Sequence, residues 1–471
     1  MKRTLALACS ATMVLGLAAC GGDTGTETPA DETTAEDTAT DEGTADGDAA
    51  ATGDDSSMTS SGEAAALELP DLSGEELEVA GVWTGAEQDS FGLVLDAFEE
   101  KTGATVQYTS TGDDIAPVLT PRVEGGNPPD VAMLPQPGLL TLFAEQGALV
   151  PVGPDVEAAI DANYEQVWKD LGTVDGDLYG VWFKAANKST IWYDVEAIEA
   201  AGISTTPPED WDWPDLKDIS QTIEDSGVTP WAVAGADGWT LTDWFENIYL
   251  SQAGPELYDK LTAHEIKWTH PSVDVALTTL AEVWGEEGWV APGALQTDFP
   301  GSVTTVFGSH DAAMVYEGDF VAGVIGSETD AVVGQDADFW PFPAVGEEPA
   351  VVGGGDVAVG FTDSEATMAL LEWLASPESA EIWVQEGGFT SPNKNVDTAL
   401  YPDDISRGIA ESLIAAGDAF RFDMSDQMPP EFGGTPGAGM WQDLTDFLRD
   451  PTSVQETMES LEANAAKAYG D

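Results

Sequence analysis

Trp83, Glu87 and Gln88 fall in the polar stretch after the first apolar run, Asp113 and Asp114 after the second, and Gln136 after the third. Further along, Trp239 with Asp243, then Glu317 with Asp319, repeat the mixture of indole and carboxylate. In open α/β sheets ligands settle outside the carboxyl ends of the strands, so loops that follow strands are where such groups meet a solute. Carboxylates and amides pair with hydroxyls, indole faces stack on C–H surfaces, and desolvated polar groups supply the discrimination. That chemistry suits a neutral or cationic solute, and a sugar, with its hydroxyls and C–H faces, is one that it would fit. Each side chain also has a plainer use, the tryptophans as core and the loop carboxylates as solvated surface. The same acids would serve glycoside hydrolysis, which needs two carboxylates about 5 to 10 Å apart with separated pKa values. An exported glycoside hydrolase is therefore the alternative.

Other chemistries are poorly supplied. The two cysteines, Cys9 and Cys20, both lie in the first twenty residues, which leaves no disulfide framework and no thiolate metal site for the folded part. His264, His270 and His310 are too scattered for a metal cluster. Val351-Val352-Gly353-Gly354-Gly355-Asp356 is glycine-rich but no lysine follows, so it is not a phosphate cradle, and no cofactor is expected. A formal charge of -72 on 15 basic residues excludes a basic patch for nucleic acid or anionic lipid. With 471 residues, 42% of them hydrophobic, the chain can bury a large core.

The elements that must position these side chains alternate strand, loop and helix from about residue 77. Glu78–Trp83 reads as a strand, Thr84–Gln88 as a loop, and Phe91–Lys101 as an amphipathic helix closed by Gly103. Thr105–Tyr108 is a second strand, the run after Pro129 a third and buried one, and Ala148–Val152 a further strand beyond a helix. Such alternation signals a parallel α/β sheet. The pivotal stretch is Gly176–Leu216. Tyr179, Val181 and Phe183 alternate with Gly180, Trp182 and Lys184 as a strand, followed by a polar break and then Ile191-Trp192-Tyr193. A helix over 195–201 is stopped by Gly202, and Asp212 stands ready to cap a helix opening with Trp213-Pro214.

Lys2-Arg3, the apolar run Leu5–Leu17 and Leu17-Ala18-Ala19-Cys20 have the form of a secretory leader, too short to span a bilayer. Leu-Ala-Ala-Cys resembles a bacterial lipobox, which implies acylation of Cys20 and tethering at the outer face of the cytoplasmic membrane. The following segment is rich in Gly, Ala, Thr, Ser, Asp and Glu, without aromatic residues up to Ala66, and reads as a disordered acidic tether over 21–75.

The central stretch resembles that of the carbohydrate-binding members of the ABC-importer solute-binding proteins, the family of maltose-binding protein. Gly176, Tyr179 and Gly180, then Trp192-Tyr193-Asp194, Ala201-Gly202, Pro207-Pro208 and Trp211 carry the likeness. Its companions follow the family's order. Gly125 to Met133 matches "G-x-x-P-D-V", Gly147 to Val152 matches "G-x-L-x-P-L", and Gly308, Ala313-Met314 and Gly318 match "F-x-x-G-x-x-A-M-x-x-x-G-x-W", with Phe320 replacing the tryptophan. The resemblance implies a two-lobed periplasmic-binding-protein fold, each lobe a mostly parallel sheet flanked by helices, with the ligand cleft and hinge between them. The lobes would take residues 76–186 with 354–390, and 187–353 with 391–471. It also implies a monomeric, non-enzymatic receptor that delivers a sugar, an α-linked di- or oligosaccharide above all, to the permease subunits of an importer; a non-sugar solute is the alternative within the fold. Lys184, Asn187 and Lys188 fall near a position that contacts sugar in that family, and Phe320 at its stacking aromatic. Asp356 on the return strand, Arg421, Phe432 and Trp441 complete the expected site.

Overall fold

A computed structural model describes residues 67–208, 210–346, 351–415 and 420–470. Cys20, the leader and the tether up to residue 66 lie outside the described residues. Residues 67–75, which composition assigns to the tether, belong to the folded part. Leu72 is buried, Leu67 and Leu69 pack on the first core, and the Leu72 amide donates to the Thr102 carbonyl. Three leucines in six residues give this segment apolar surface to bury, which the preceding polar tract lacks.

The strands in chain order are β1 (Glu76–Gly81), β2 (Thr105–Ser110), β3 (Val131–Leu134), β4 (Thr173–Val174), β5 (Asp177–Leu178), β6 (Gly180–Asn187), β7 (Thr190–Asp194), β8 (Thr229–Ala232), β9 (Ala312–Glu317), β10 (Ala337–Pro341), β11 (Val351–Gly360) and β12 (Phe420–Phe422). The first sheet runs β12-β11-β3-β1-β2, with β6 also paired to β11. Its β1, β2 and β3 are parallel, whereas β11 runs antiparallel to both β3 and β6. The second sheet runs β10-β7-β9-β8, and only its β8–β9 pair is parallel. It is thus mixed rather than mostly parallel, because β7 arrives directly from the first lobe instead of through a helical crossover.

β6 and β11 carry the first two chain crossings and lie side by side, Asn187 opposite Gly353 and Lys184 opposite Asp356, and a third crossing follows β12, between Phe422 in the first core and Met424 in the second. The expected polar break is only Lys188-Ser189, and both residues are buried. Their backbone needs are met across the crossings: the Lys188 amide donates to the Val352 carbonyl, and the Val352 amide to Ser189 Oγ. Every residue of β6 is buried, so its alternation does not mark a solvent face.

Each sheet has its own core. Val79, Phe91, Leu119, Phe143, Val181, Phe183, Val359, Trp373 and Trp383 fill the first. In the second lobe alternate residues of one strand serve opposite faces: Ile191, Tyr193, Met314 and Tyr316 face one cluster, Trp192 and Val315 the other. The chain returns to the first core with Tyr401, Ala410 and Phe422, residues the sequence reading placed in the second lobe, because β12 pairs with β11.

Local signals held where a specific side chain enforces them. Asp212 accepts from the Asp215 amide in a full capping box, and Gly202 takes φ 76° after the helix Val195–Ala200. Two readings fail. Thr84–Gln88 is not a loop, since the first helix begins at Gly85, which carries Glu87 and Gln88 in its opening turns. Ala148–Val152 joins no sheet; its amides find the carbonyls of Phe143, Gly360 and Leu178 instead.

Candidate functional site

A cleft of about 350 Å³ opens between the two sheets, at the carboxyl ends of β1, β2 and β3. The first lobe contributes Trp83 and Glu87, Asp113, Gln136, Lys184 and Asp356. The second contributes Asp237, Trp239, Asp298, Phe299, Phe320 and the helix Val321–Glu328, and Asp426 and Trp441 come from the C-terminal part. Ten of the expected ligand residues therefore meet in one place: Trp83, Glu87, Asp113, Gln136, Lys184, Lys188, Trp239, Phe320, Asp356 and Trp441.

The others do not line the cleft. Gln88 and Asp114 are exposed beside it, and Arg421 pairs with Asp259 at 2.7 Å. Phe432 is core, packed edge-on against Trp268 at 5.4 Å. Asn187 donates to Ser412 Oγ at 2.9 Å, while the Asp319 carboxylate accepts from Thr390 Oγ1 and the Asp319 amide donates to the Asn187 carbonyl. Asp243 and Glu317 lie buried beneath the floor. Conversely, sequence reasoning missed Asp237, Asp298, Phe299 and Asp426. Asp298 had a readable signal, the same Asp-aromatic-Pro opening as Asp212-Trp213-Pro214, and its carboxylate caps its helix by accepting from Gly301. Nothing local marks Asp426.

The aromatic faces divide into two kinds. Trp83 is core-like, 2% exposed and packed edge-on against Phe91 at 4.7 Å and Trp383 at 4.8 Å. Trp239, partly exposed, leans on Phe299 at 5.4 Å and Phe320 at 5.8 Å, so the three rings wall the second-lobe side of the cleft. Two polar atoms at the wall are buried without a partner among the described residues, the amide oxygen of Gln136 and the indole N–H of Trp441. An acceptor and a donor left unpaired in this way favour a ligand that supplies both complements, as a hydroxyl does.

Both lysines of the cleft are already neutralised. Lys184 is ion-paired with Glu87 and sits 5.4–5.9 Å from the rings of Trp383, Phe320 and Trp83. Burial would lower its pKa, but Glu87 and Asp356 outweigh that and hold it above the usual value. Lys188 reaches Asp243 Oδ1 at 3.2 Å, Asp423 Oδ2 at 2.5 Å and Asp426 Oδ2 at 3.6 Å, with its ammonium 5.6 Å from the Trp239 ring. Burial alone would raise Asp423, yet Lys188 and hydrogen bonds bring it down to about 2. Burial dominates at Asp243, Glu246, Glu317 and Asp426 and pushes all four well above the carboxylate range.

Asp243, Glu246 and Asp423 also bring carboxylate oxygens within 4.8 Å of one another. They do not fit a metal ion. The Lys188 ammonium holds the position of the cation, Glu246 accepts from Tyr258 Oη and the Met424 and Ser425 amides, and Asp423 from Ser425 Oγ and the Asp426 amide.

Three cleft and hinge carboxyls, Asp237, Asp319 and Asp356, are raised to about 6, burial being the first cause of each. Asp113 rises to about 7: the opposite lobe covers its carboxyl end, and Asp237 and Asp114 add repulsion, although much of the residue stays exposed. A folded-state pKa above the unfolded one means that the folded protein holds the proton more tightly. The associated stability is full below about pH 4, the unfolded carboxylate value, and is lost as pH rises through about 6. Self-repulsion of the acidic chain acts in the same direction. The melting temperature is therefore expected to fall between pH 4.5 and 7.5, and Asp356→Asn should make that fall shallower. A melting temperature that rises across the window would contradict this charge assignment.

Two α/β lobes joined by paired crossings, with aromatic rings and carboxylates from both walls converging on one cleft, define a two-lobed solute receptor. The chain belongs to the bacterial extracellular solute-binding protein family, whose model matches residues 84–381. It is 35% identical over 410 residues to the osmoprotective compounds-binding protein GgtB of a Synechocystis species, covering 83% of this chain and 94% of that one. It is 32% identical over 417 residues to the alpha-glucosides-binding periplasmic protein AglE of Rhizobium meliloti, covering 83% and 88%. Among solved structures it resembles the bacterial solute receptor AcbH, which prefers β-D-galactopyranose, with TM-score 0.74, 19% identity, and 84% and 99% of the two chains covered. A chitin oligosaccharide binding protein gives TM-score 0.73 at 19% identity, with the same coverage. The family and these relatives are transport receptors, not enzymes, so the chain is an extracellular solute-binding protein of the ABC transporter class with sugar-binding homologues. No helix among the described residues is long and apolar enough to cross a membrane.

Proposed function

We propose that this protein captures a small α-linked glucoside, of about two-ring size, and presents it to the permease subunits of an importer while tethered to the membrane through acylated Cys20, as a monomer. The observation that carries the reading is the pairing, in one cleft, of the Trp239–Phe299–Phe320 wall with carboxylates from both lobes and the unpartnered Gln136 and Trp441 groups. Rings take the C–H faces of a sugar and the polar groups take its hydroxyls. The α-linkage is supported by the 32%-identical relative, which is named for alpha-glucosides. The size is supported by the cleft volume, about 350 Å³, near the lower end of the roughly 300–1,000 Å³ of small-molecule pockets. Surplus cleft carboxylates disfavour phosphorylated ligands.

Thermal-shift screening of the protein against trehalose, maltose, sucrose, galactose, xylo-oligosaccharides and amino acids tests this. A solute that binds only the folded state stabilises it by about 2.7 kcal/mol at a hundredfold excess over Kd. Shifts confined to α-glucosides of two rings are expected. A shift with galactose or amino acids alone would overturn the ligand assignment and leave the receptor fold intact.

A further inference from the structure

Gly323, which lines the cleft, meets Gly388 of the first lobe. Gly323 lies within the helix Val321–Glu328, whose Val321 and Ile325 are anchored in a second-lobe core. Gly388, at φ 63°, closes a Gly-Gly turn just before Phe389, which is buried in the first-lobe core and stacks on Trp383 at 4.8 Å. A Cβ on Gly388 would stand 2.8 Å from both the Cα and the amide nitrogen of Gly323. A Cβ on Gly323 would stand 3.6 Å from Gly388 Cα, an ordinary contact. Backbone thus meets backbone, and neither side can retreat without disturbing its own core. The same helix lines the cleft with Gly323, Val324, Ser327 and Glu328, so the approach of these two glycines and the depth of the cleft change together. Lys184 beneath the Phe320 ring and Thr390 bonded to Asp319 join the lobes close by.

We propose that the Gly323–Gly388 contact is the stop that sets how far the lobes close, which makes both positions affinity-determining although neither offers a side chain to the solute. The inference rests on the reading that solute binds between the lobes and is retained by their closure. Differential contact in the closed form is what holds a ligand in such a receptor. A methyl group at 323 is accommodated, whereas a longer side chain pointing at Gly388 has only backbone to meet and must hold the lobes apart.

The test uses the full chain with Cys9→Ser and Cys20→Ser, carrying spin labels on Gly326→Cys and Gln385→Cys, exposed positions outside the cleft lining on either side of the contact. Interlobe distances are measured with no solute and with trehalose, maltose and sucrose in turn, and affinities for the same sugars by calorimetry. Gly323→Leu is expected to lengthen the shortest interlobe distance and to weaken binding about tenfold or more. Gly323→Ala should leave both nearly unchanged. Neither variant should melt earlier, because glycine is the poorer helix former and both replacements favour the helix. Weaker binding without loss of thermal stability separates a wedge from a damaged fold. Identical distances and affinities in Gly323→Leu and the parent would overturn the stop. If none of the three sugars binds the parent, the α-glucoside reading fails, and the label distances alone decide the stop.

Discussion

Lys188→Met is expected to cost about 3–5 kcal/mol of stability, the usual penalty for removing one partner from a buried ion pair and leaving the other uncompensated. Lys188 is the sole cation within contact of Asp243, Asp423 and Asp426 among the described residues, and all three are buried. Asp423 is the group it keeps ionised, held down at about 2. Without the ammonium, burial is left to dominate at Asp423 as it already does at Asp243, Glu246 and Asp426. A group whose folded pKa moves from below the unfolded value to above it stops contributing stability at neutral pH and begins to oppose folding there. The deficit of Lys188→Met relative to the parent should therefore be largest near pH 8 and shrink toward pH 4, where the freed carboxyl is protonated in the folded variant and about half protonated in the unfolded chain. Adding Asp423→Asn to Lys188→Met should recover part of the loss at pH 8. Denaturant titrations at the two pH values decide the matter. A deficit that is small, or that does not change with pH, would mean that Lys188 is not the counter-charge of this cluster.

Much of this arrangement was legible in the sequence, for reasons that can be traced to particular residues. Strands followed by polar loops placed Trp83, Asp113 and Gln136 at the carboxyl ends of β1, β2 and β3, where the topology of an α/β sheet puts a cleft whatever the solute. The crossing was readable because Gly180 to Asp194 is too apolar for a surface segment, and both of its strands prove buried throughout. What stayed hidden depends on partners far away in sequence. Asp243 and Glu317 have the residue types of ligand groups, but Asp243 faces inward to Lys188, 55 positions away, and Glu317 is buried beside it. Asp426 becomes a cleft residue only because β12, paired with β11, carries the helix Met424–Gln427 under the floor. The mixed second sheet was equally beyond local pattern, since period-2 burial on both faces looks alike for parallel and antiparallel neighbours.

The sharpest separation between binding and folding is expected from two tryptophans that looked equivalent in the sequence. Trp239→Ala should weaken binding of the α-glucoside that stabilises the parent by roughly 30- to 1,000-fold, as the loss of an aromatic hot spot worth about 2–4 kcal/mol does. The Trp239 ring stands at the opening of the helix Trp239–Ala253, partly exposed on the cleft, with Phe299 and Phe320 behind it. Those two rings also pack on each other at 5.2 Å, so the wall keeps its shape when Trp239 is truncated and the melting temperature of the free protein should change little. Trp83→Ala should do the reverse. Although it reaches the cleft, its ring is 2% exposed and packed among Phe91, Phe183 and Trp383, so truncation leaves a cavity costing about 3–5 kcal/mol. Trp239→Phe, which keeps an aromatic face, should regain most of the affinity, whereas Trp83→Phe should recover stability only in part because the volume is not restored. Calorimetric affinity and melting temperature, taken on all four variants, give a two-by-two answer. If Trp239→Ala lost stability and kept affinity, the cleft wall would be core, and the solute would have to sit against the first-lobe groups alone.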